Sequence, residues 1–120
     1  MPNDLPIEPP STLSTASQDM HRAILSLTEE LDAIDWYRQR AEACADAELR
    51  EVFRHNGNEE KEHAAMLVEW IRRHDTRLAE TMKTFLFTEA PLAGIAAVAP
   101  PSGPSAQRDA TLGIGSMKGA

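Results

Sequence analysis

The chain has little cysteine, few aromatic residues and an excess of acidic over basic residues. Its single cysteine, Cys44, excludes an intrachain disulfide and a cysteine-based zinc cluster. Aromatic residues make up 5% of the chain, so a broad aromatic core is not expected. Lysine and arginine number 12 against 19 acidic residues, for a net charge of −7. This balance disfavours a nucleic-acid partner and favours a cationic one.

Long apolar runs are also absent from the sequence. The longest uncharged stretch, residues 90–107, is interrupted by prolines, so we expect no membrane helix. Residues 1–15 contain no lysine, no arginine and no apolar run, so we expect no signal peptide. Together these features predict one acidic, soluble domain located in the cytoplasm.

Two long segments carry apolar residues at helical spacing. The first predicted helix spans residues 17–45, and the second runs from an N-cap at Asp46 to Arg73. Asp75 caps a shorter amphipathic segment that ends before Pro91. The connection at Asp46 is so short that the two long helices are expected to form an antiparallel hairpin.

The predicted fold class is therefore all-α, a two-helix hairpin followed by a short C-terminal helix, over residues 16–89. Two helices cannot bury a continuous apolar stripe between themselves alone. We expect a second copy to cover it and to complete a four-helix-bundle-like unit by dimerisation.

Segments of different composition flank this domain. Residues 1–15 are rich in proline and are predicted to be a disordered arm. Residues 90–110 are rich in alanine, proline, glycine and serine, and are predicted to be a linker.

Residues 111–120 form a short segment with isolated apolar residues beyond the linker. These residues are spaced to dock into a groove on a partner: Leu112, Ile114 and Met117. A disordered end with scattered apolar residues has the same pattern, and the spacing does not separate the two interpretations.

Glu60-x-x-His63 is the first motif that carries chemistry. Residues three apart on a helix lie on one face, one turn apart. Both fall inside the apolar stripe of the second helix, so two ionisable groups point to the core. A buried carboxylate is costly unless it is paired or bound to a metal. A simple Glu–His pair in a partly hydrated seam is the other interpretation.

Glu30 interrupts the stripe of the first helix in the same way, between Leu27 and Ile34. In a hairpin that turns near Asp46, Glu30 is expected at the level of about residue 62, beside Glu60 and His63. Three core-facing groups of ligand type at one level favour a metal site.

One Glu and one Glu-x-x-His make half of the ligand set of carboxylate-bridged di-iron bundles. A two-fold dimer supplies the other half, from the same interface that the apolar stripes require. Carboxylate and imidazole ligands without thiolate suit iron or manganese, and zinc as well. A non-catalytic metal-binding scaffold and a plain helical dimerisation module remain as alternatives.

Other polar groups lie near this level of the first helix. Glu29, Asp32 and Trp36 lie on the face that adjoins the stripe, which fits either a solvated acidic surface or a cation path. Tyr37 follows Glu30 by seven residues on the same face and is a candidate hydrogen-bond donor close to the metal.

The sequence resembles the encapsulated ferritins, the ferritin-like cargo of encapsulin nanocompartments. The resemblance is carried by four helical segments: His21–Ile24, Glu29–Tyr37, Glu59–Met66 and Phe85–Glu89. The tail Leu112–Gly119 resembles the encapsulation peptide by which such cargo binds the inner wall of the shell.

The resemblance implies a ferritin-like fold, a homo-oligomeric ring of typically ten chains arranged as five dimers, and ferroxidase activity at the interface. It implies that Glu30, Glu60 and His63 bind iron, with Glu60 bridging two ions, and that the centre oxidises Fe(II) to Fe(III). The protein would then act in iron storage inside a cytoplasmic encapsulin shell.

The resemblance further implies a second metal site, through which iron enters, at Glu29 and Asp32 beside Trp36. Family members commonly have Glu at the position of Asp32, and the shorter side chain weakens this part of the assignment. Tyr37 matches a residue close to the iron centre.

Overall fold

The structure, a computed structural model, describes residues 5–98. In that range the chain is helical and contains no strand, so the predicted all-α class is confirmed there. A 3-10 turn at Pro10–Thr12 precedes four helices: α1 (Thr15–Ala43), α2 (Ala47–Arg73), α3 (Thr76–Phe85) and α4 (Leu92–Val98).

Side-chain caps fix where the helices begin. Asp46 Oδ2 accepts a hydrogen bond from the backbone N–H of Leu49 at 2.8 Å, at the start of α2. Asp75 Oδ1 does the same for the N–H of Leu78 at 2.9 Å, at the start of α3. Both predicted caps are confirmed. Ser14 caps α1, which therefore begins two residues before the predicted start at residue 17.

A side chain of α2 holds the turn between α1 and α2. The Arg50 guanidinium donates hydrogen bonds to the carbonyl oxygen of Cys44, at 3.0 Å from Nη2 and 3.3 Å from Nε. This contact satisfies a carbonyl at the end of α1 that has no helical partner. The tight hairpin predicted from the position of Asp46 follows from these local bonds.

Small residues make up most of the buried seam of the hairpin. Four of the five buried residues of α1 and α2 are alanine or glycine, namely Ala23, Ala41, Gly57 and Ala64, and the fifth is Ile71. A Cβ atom placed on Gly57 would lie 3.2 Å from Cβ of Tyr37, closer than most such contacts. Residues without bulk at the seam therefore allow the two helices to approach closely.

Larger apolar side chains of the hairpin remain in contact with solvent. Six of them are at least two-fifths exposed: Ile24, Leu31, Trp36, Leu49, Val52 and Met66. A single chain leaves these surfaces uncovered, and Leu49 and Val52 among them belong to the predicted apolar stripe of α2. Exposed apolar area of this kind marks interaction surfaces.

The chain divides into two compact units, one up to Ile71 and the other from Arg72 onward. In the second unit, α3 and α4 are in contact. Phe87, between them, is fully exposed and has a backbone φ of 59°, in the left-handed region. The Thr88 hydroxyl donates to the carbonyl oxygen of Phe85 at 2.7 Å and holds this turn.

Two flanking segments differ from the sequence predictions. Within the predicted disordered arm, the Thr12 hydroxyl donates to the Pro9 carbonyl at 2.7 Å, and Gln18 Nε2 donates to the Pro10 carbonyl at 3.1 Å. Within the predicted linker, α4 begins after Pro91, whose carbonyl accepts the N–H of Ile95 at 3.1 Å. In each segment proline sets φ for a short helical turn.

The remaining part of the linker and the whole predicted targeting segment, with Leu112, Ile114 and Met117, lie outside the described residues. None of the helices in residues 5–98 combines the length and the apolar character that a bilayer crossing requires.

Candidate metal centre

Three side chains of ligand type meet on the hairpin. Glu30 comes from α1, and Glu60 and His63 come from successive turns of α2. Each offers one ligand atom, and these atoms lie within 4.8 Å of one another. The hairpin turn places the middle of α1 level with the middle of α2, so the predicted juxtaposition of Glu30 with the Glu-x-x-His motif is present.

The distances within this group are those of a connected cluster. His63 Nδ1 lies 3.2 Å from Glu60 Oε1 and 3.6 Å from Glu30 Oε1. The side chains of Glu30 and Glu60 are about one quarter exposed, at 26% and 23%, whereas that of His63 is 49% exposed. The cluster is therefore open on one side rather than enclosed by its own chain.

The three groups influence one another's protonation. A hydrogen bond between the two carboxyl groups, followed by partial desolvation, raises the pKa of Glu30. The same bond lowers the pKa of Glu60, which acts as the acceptor. The hydrogen bond to Glu60 raises the pKa of His63, and the negative charges of both carboxylates add to this. The opposite directions of these two shifts show that the carboxyl groups of Glu30 and Glu60 interact directly.

The donor set fits a divalent metal ion. Two carboxylates and one imidazole supply oxygen and nitrogen ligands, which suit iron, manganese and zinc. Three ligands from one chain leave coordination positions that a second group must fill, and the cluster is open to solvent on that side. Among residues 5–98, no other set of three histidine, cysteine or acidic side chains comes together in this way.

The residues of α1 predicted to lie near the metal differ in their exposure and contacts. Glu29 and Trp36 are exposed and Asp32 is half-buried, and one chain does not gather them into a metal-binding group within the described residues. The ring of Tyr37 packs against Phe53 at 6.1 Å between centroids, with the Arg40 guanidinium 5.7 Å from its centroid. Roles for these residues at the metal stay predictions.

The sequence analysis missed a cleft between α1 and α2, with a volume of about 450 Å³. Three of its lining residues are cations: Arg38, Arg54 and Lys61. Arg54 and Lys61 are seven residues apart on α2 and so lie on one face, and that spacing was the available signal. Gly57, which the sequence marks only as a weak helix former, forms part of its lining.

The fold and this ligand set define a class, an all-α protein with a candidate carboxylate–imidazole metal group. Comparison with known proteins shows to which family of this class the chain belongs. The EncFtn-like family matches residues 6–89. The chain is 47% identical to the "Encapsulated ferritin-like protein" of Rhodospirillum rubrum, over 93% of this chain and 86% of that protein. It therefore belongs to the EncFtn-like family of encapsulated ferritins.

Two further relatives agree with this assignment. A "Ferritin-like protein" of Thermotoga maritima is 44% identical over 73% of this chain and 77% of its own length. A crystal structure of a protein from Nitrosomonas europaea superposes with a TM-score of 0.71 at 55% identity, covering 73% of this chain and 97% of that one. Family membership supports an iron-related, ferritin-like function.

Proposed function

We propose that this protein is a ferroxidase that oxidises Fe(II) to Fe(III) at a di-iron site formed between two copies of the chain. The observation that carries the proposal is the convergence of Glu30, Glu60 and His63, with ligand atoms within 4.8 Å of one another. Family membership supplies the link to iron.

Two copies complete the ligand set. Di-iron carboxylate bundles use one Glu from each of two helices and a Glu-x-x-His from each of the other two. One chain supplies one α1 Glu and one α2 Glu-x-x-His, so a two-fold dimer supplies the whole set. The open side of the cluster and the exposed Leu49 and Val52 on α2 leave room for a second copy.

The ligands determine the chemistry of the substrate iron. Anionic carboxylate oxygens are hard donors and favour the higher charge of Fe(III) over Fe(II). The pKa of Glu30 is raised, first by its hydrogen bond with Glu60 and then by desolvation, and cations bound to both carboxylates would favour their ionised forms. Two Fe(II) held by these residues would supply two electrons, which with two protons would reduce dioxygen to hydrogen peroxide, or hydrogen peroxide to water. The protein would supply the geometry and the negative charge.

We also propose that the protein works as cargo of an encapsulin shell in the cytoplasm, in a ring of five dimers, and stores iron there. The name of the Rhodospirillum rubrum relative, an encapsulated ferritin-like protein, supports the compartment. Residues 111–120 are the segment we expect to bind the shell, so their deletion should abolish loading into a co-expressed shell.

The test is oxidation of Fe(II) by the metal-free full-length protein, with Fe(III) followed by its near-ultraviolet absorbance after air is admitted. Glu60→Ala should abolish most of the oxidation because it removes a ligand from both halves of each site. Glu62→Ala is the matched control, because Glu62 is an exposed residue of the same helix.

Three outcomes oppose the proposal. Oxidation by Glu60→Ala at the wild-type rate refutes the assigned site. Iron binding by the wild type without accelerated oxidation indicates a metal-binding scaffold. Absence of iron binding indicates a helical dimerisation module.

A further inference from the structure

The cleft between α1 and α2 has an apolar lining, which we call its floor, and a charged lining with more cations than anions. Its volume of about 450 Å³ is that of a pocket able to hold a large side chain. The floor is formed by Ile34, Tyr37, Ala41 and Phe53, and the charged lining residues are Arg38, Arg54, Lys61 and Glu42.

Of the three cations, one has no carboxylate partner among the described residues. Arg38 is paired with Asp35 at 2.6 Å, and Arg54 is paired with Glu51. Lys61 Nζ donates to the side-chain oxygen of Asn58 at 3.3 Å. A cation next to an apolar floor favours a ligand with an apolar group and a negative charge.

The cleft and the metal group lie on opposite sides of the hairpin seam. Taking buried Gly57 as the seam and about 100° per residue, Lys61 and Asn58 lie about 40° and 100° to one side. Glu60 and His63 lie about 60° and 120° to the other side. A second copy that completes the metal site therefore covers one side of the seam and leaves the cleft free.

Exposed apolar residues of α1 extend the surface that contains the cleft. With buried Ala41 as the reference on α1, Ile24 and Leu31 lie about 80–100° away, on the same side as Arg38. Their exposed fractions are 49% and 53%. Apolar surface on this side of the hairpin requires a partner other than the one at the metal group.

The second unit presents a side chain that matches the cleft. Phe87 is fully exposed, and its left-handed backbone is unfavourable for a bulky residue. Glu89, two residues later, is exposed and has no ion pair among residues 5–98. An exposed aromatic ring next to an unpaired carboxylate complements an apolar floor next to an unpaired ammonium group.

We propose that Phe87 of one copy inserts into the α1–α2 cleft of a second copy, with Glu89 beside Lys61. The strained turn at Phe87 holds the ring outward, and burial of the ring in the partner stabilises it there. Each copy presents one such side chain and one such cleft, so this contact joins copies through a surface separate from the metal side. It requires neither iron nor ferroxidase activity.

Photo-crosslinking of the full-length protein tests the contact. Benzoylphenylalanine replaces Phe87 in one preparation, and isotopically light and heavy chains are mixed before irradiation. We expect crosslinks between a light and a heavy chain that map to the α1–α2 cleft near Tyr37 and Phe53. The same replacement of Met66, which is 65% exposed, is the control and should give no crosslinks to the cleft.

Crosslinks within one chain, crosslinks to another part of the partner, or none above the Met66 control would overturn the proposal. Because metal-free protein serves equally well, this result is independent of iron oxidation. Failure of the ferroxidase proposal leaves the expected crosslinks unchanged.

Substitutions provide a second measurement. Phe87→Gly removes the ring and relieves the left-handed backbone. Association of copies measured by light scattering should weaken by roughly tenfold to a hundredfold, while thermal stability at a concentration where the copies are separate should not fall. Unchanged association would contradict the proposal.

Exchanging the charges of Lys61 and Glu89 distinguishes loss of this contact from a general loss of stability. Lys61→Glu alone and Glu89→Lys alone should each weaken association by roughly twofold to fivefold, and the double variant should recover most of it. Losses that simply add in the double variant would exclude Glu89 as the neighbour of Lys61.

Discussion

At the scale of single residues, the close helix contact at Gly57 and the candidate metal group lie within two turns of α2. Gly57 allows Tyr37 of α1 to approach closely, and Glu60, one turn later, interacts with Glu30. The separation of the helices at Gly57 therefore sets the separation of the ligands. A larger side chain at position 57 would therefore change the distance between the carboxyl groups of Glu30 and Glu60.

Gly57→Ala tests the close approach. Alanine favours a helix over glycine by about 1 kcal/mol, but its Cβ would lie 3.2 Å from Cβ of Tyr37, which moves only with the backbone of α1. We expect Gly57→Ala to give less than that gain in thermal unfolding and Gly57→Val to destabilise the hairpin clearly. If both substitutions stabilise the protein, the helices are farther apart than the structure has them.

Glu30→Gln tests the paired carboxyl groups. The amide keeps the shape of the side chain and can donate a hydrogen bond to Glu60, but it carries no negative charge. In the presence of a chelator, thermal unfolding should occur at the wild-type temperature or above it. The increase in stability that Fe(II) or Mn²⁺ produces under anaerobic conditions should be largely lost.

The control for this variant is Glu62→Gln, because Glu62 is exposed on the same helix as the ligands. It should keep the full increase in stability with metal. Equal increases in both variants would remove Glu30 from the ligand set.

At the scale of the elements, short-range bonds decide where each helix begins. The caps at Asp46 and Asp75 bond to backbone groups three residues away, and Arg50 closes the hairpin turn. Such bonds depend on neighbouring residues, so the boundaries are readable from the sequence to within about two residues. The hairpin turn in turn brings Glu30 level with Glu60.

Asp46→Ala should destabilise the hairpin by about 1 kcal/mol, because the N–H of Leu49 loses its acceptor at the start of α2. Chemical denaturation of the metal-free protein measures the difference. Asp46→Asn retains a side-chain acceptor and should stay close to the wild type. An equally large loss in Asp46→Asn would show that the charge matters rather than the cap.

At the scale of the whole molecule, charge and apolar surface make metal binding and association depend on each other. In the proposed dimer, two copies bring two Glu and one His each to one interface, and like charges there oppose association without metal. Divalent cations neutralise these charges. Each process should therefore strengthen the other.

Native mass spectrometry of chelator-stripped protein, titrated with Fe(II) without oxygen, tests this dependence. We expect a shift from small species to dimers and rings at about one iron per chain in the central site. A monomer that binds two irons tightly, or a dimer population that ignores metal near its dissociation constant, would refute the shared site.

Local sequence signals determined the helices, their caps, the hairpin and the choice of the three candidate ligands. Helical periodicity places Glu60 and His63 one turn apart, and the short turn at Asp46 sets the level of Glu30, so these features need no knowledge of packing. They also predict that the chain binds a partner, because two helices cannot bury their apolar stripes between themselves alone.

Only the tertiary structure decided how close the ligands come and what lies on the other side of the seam. The interaction between the carboxyl groups of Glu30 and Glu60 and the cleft beside Gly57 depend on the distance between the two helices. Side chains far apart in the sequence set that distance together, and periodicity within one helix does not contain it. The left-handed turn at Phe87 likewise depends on how the chain leaves α3, and the residue type disfavours it.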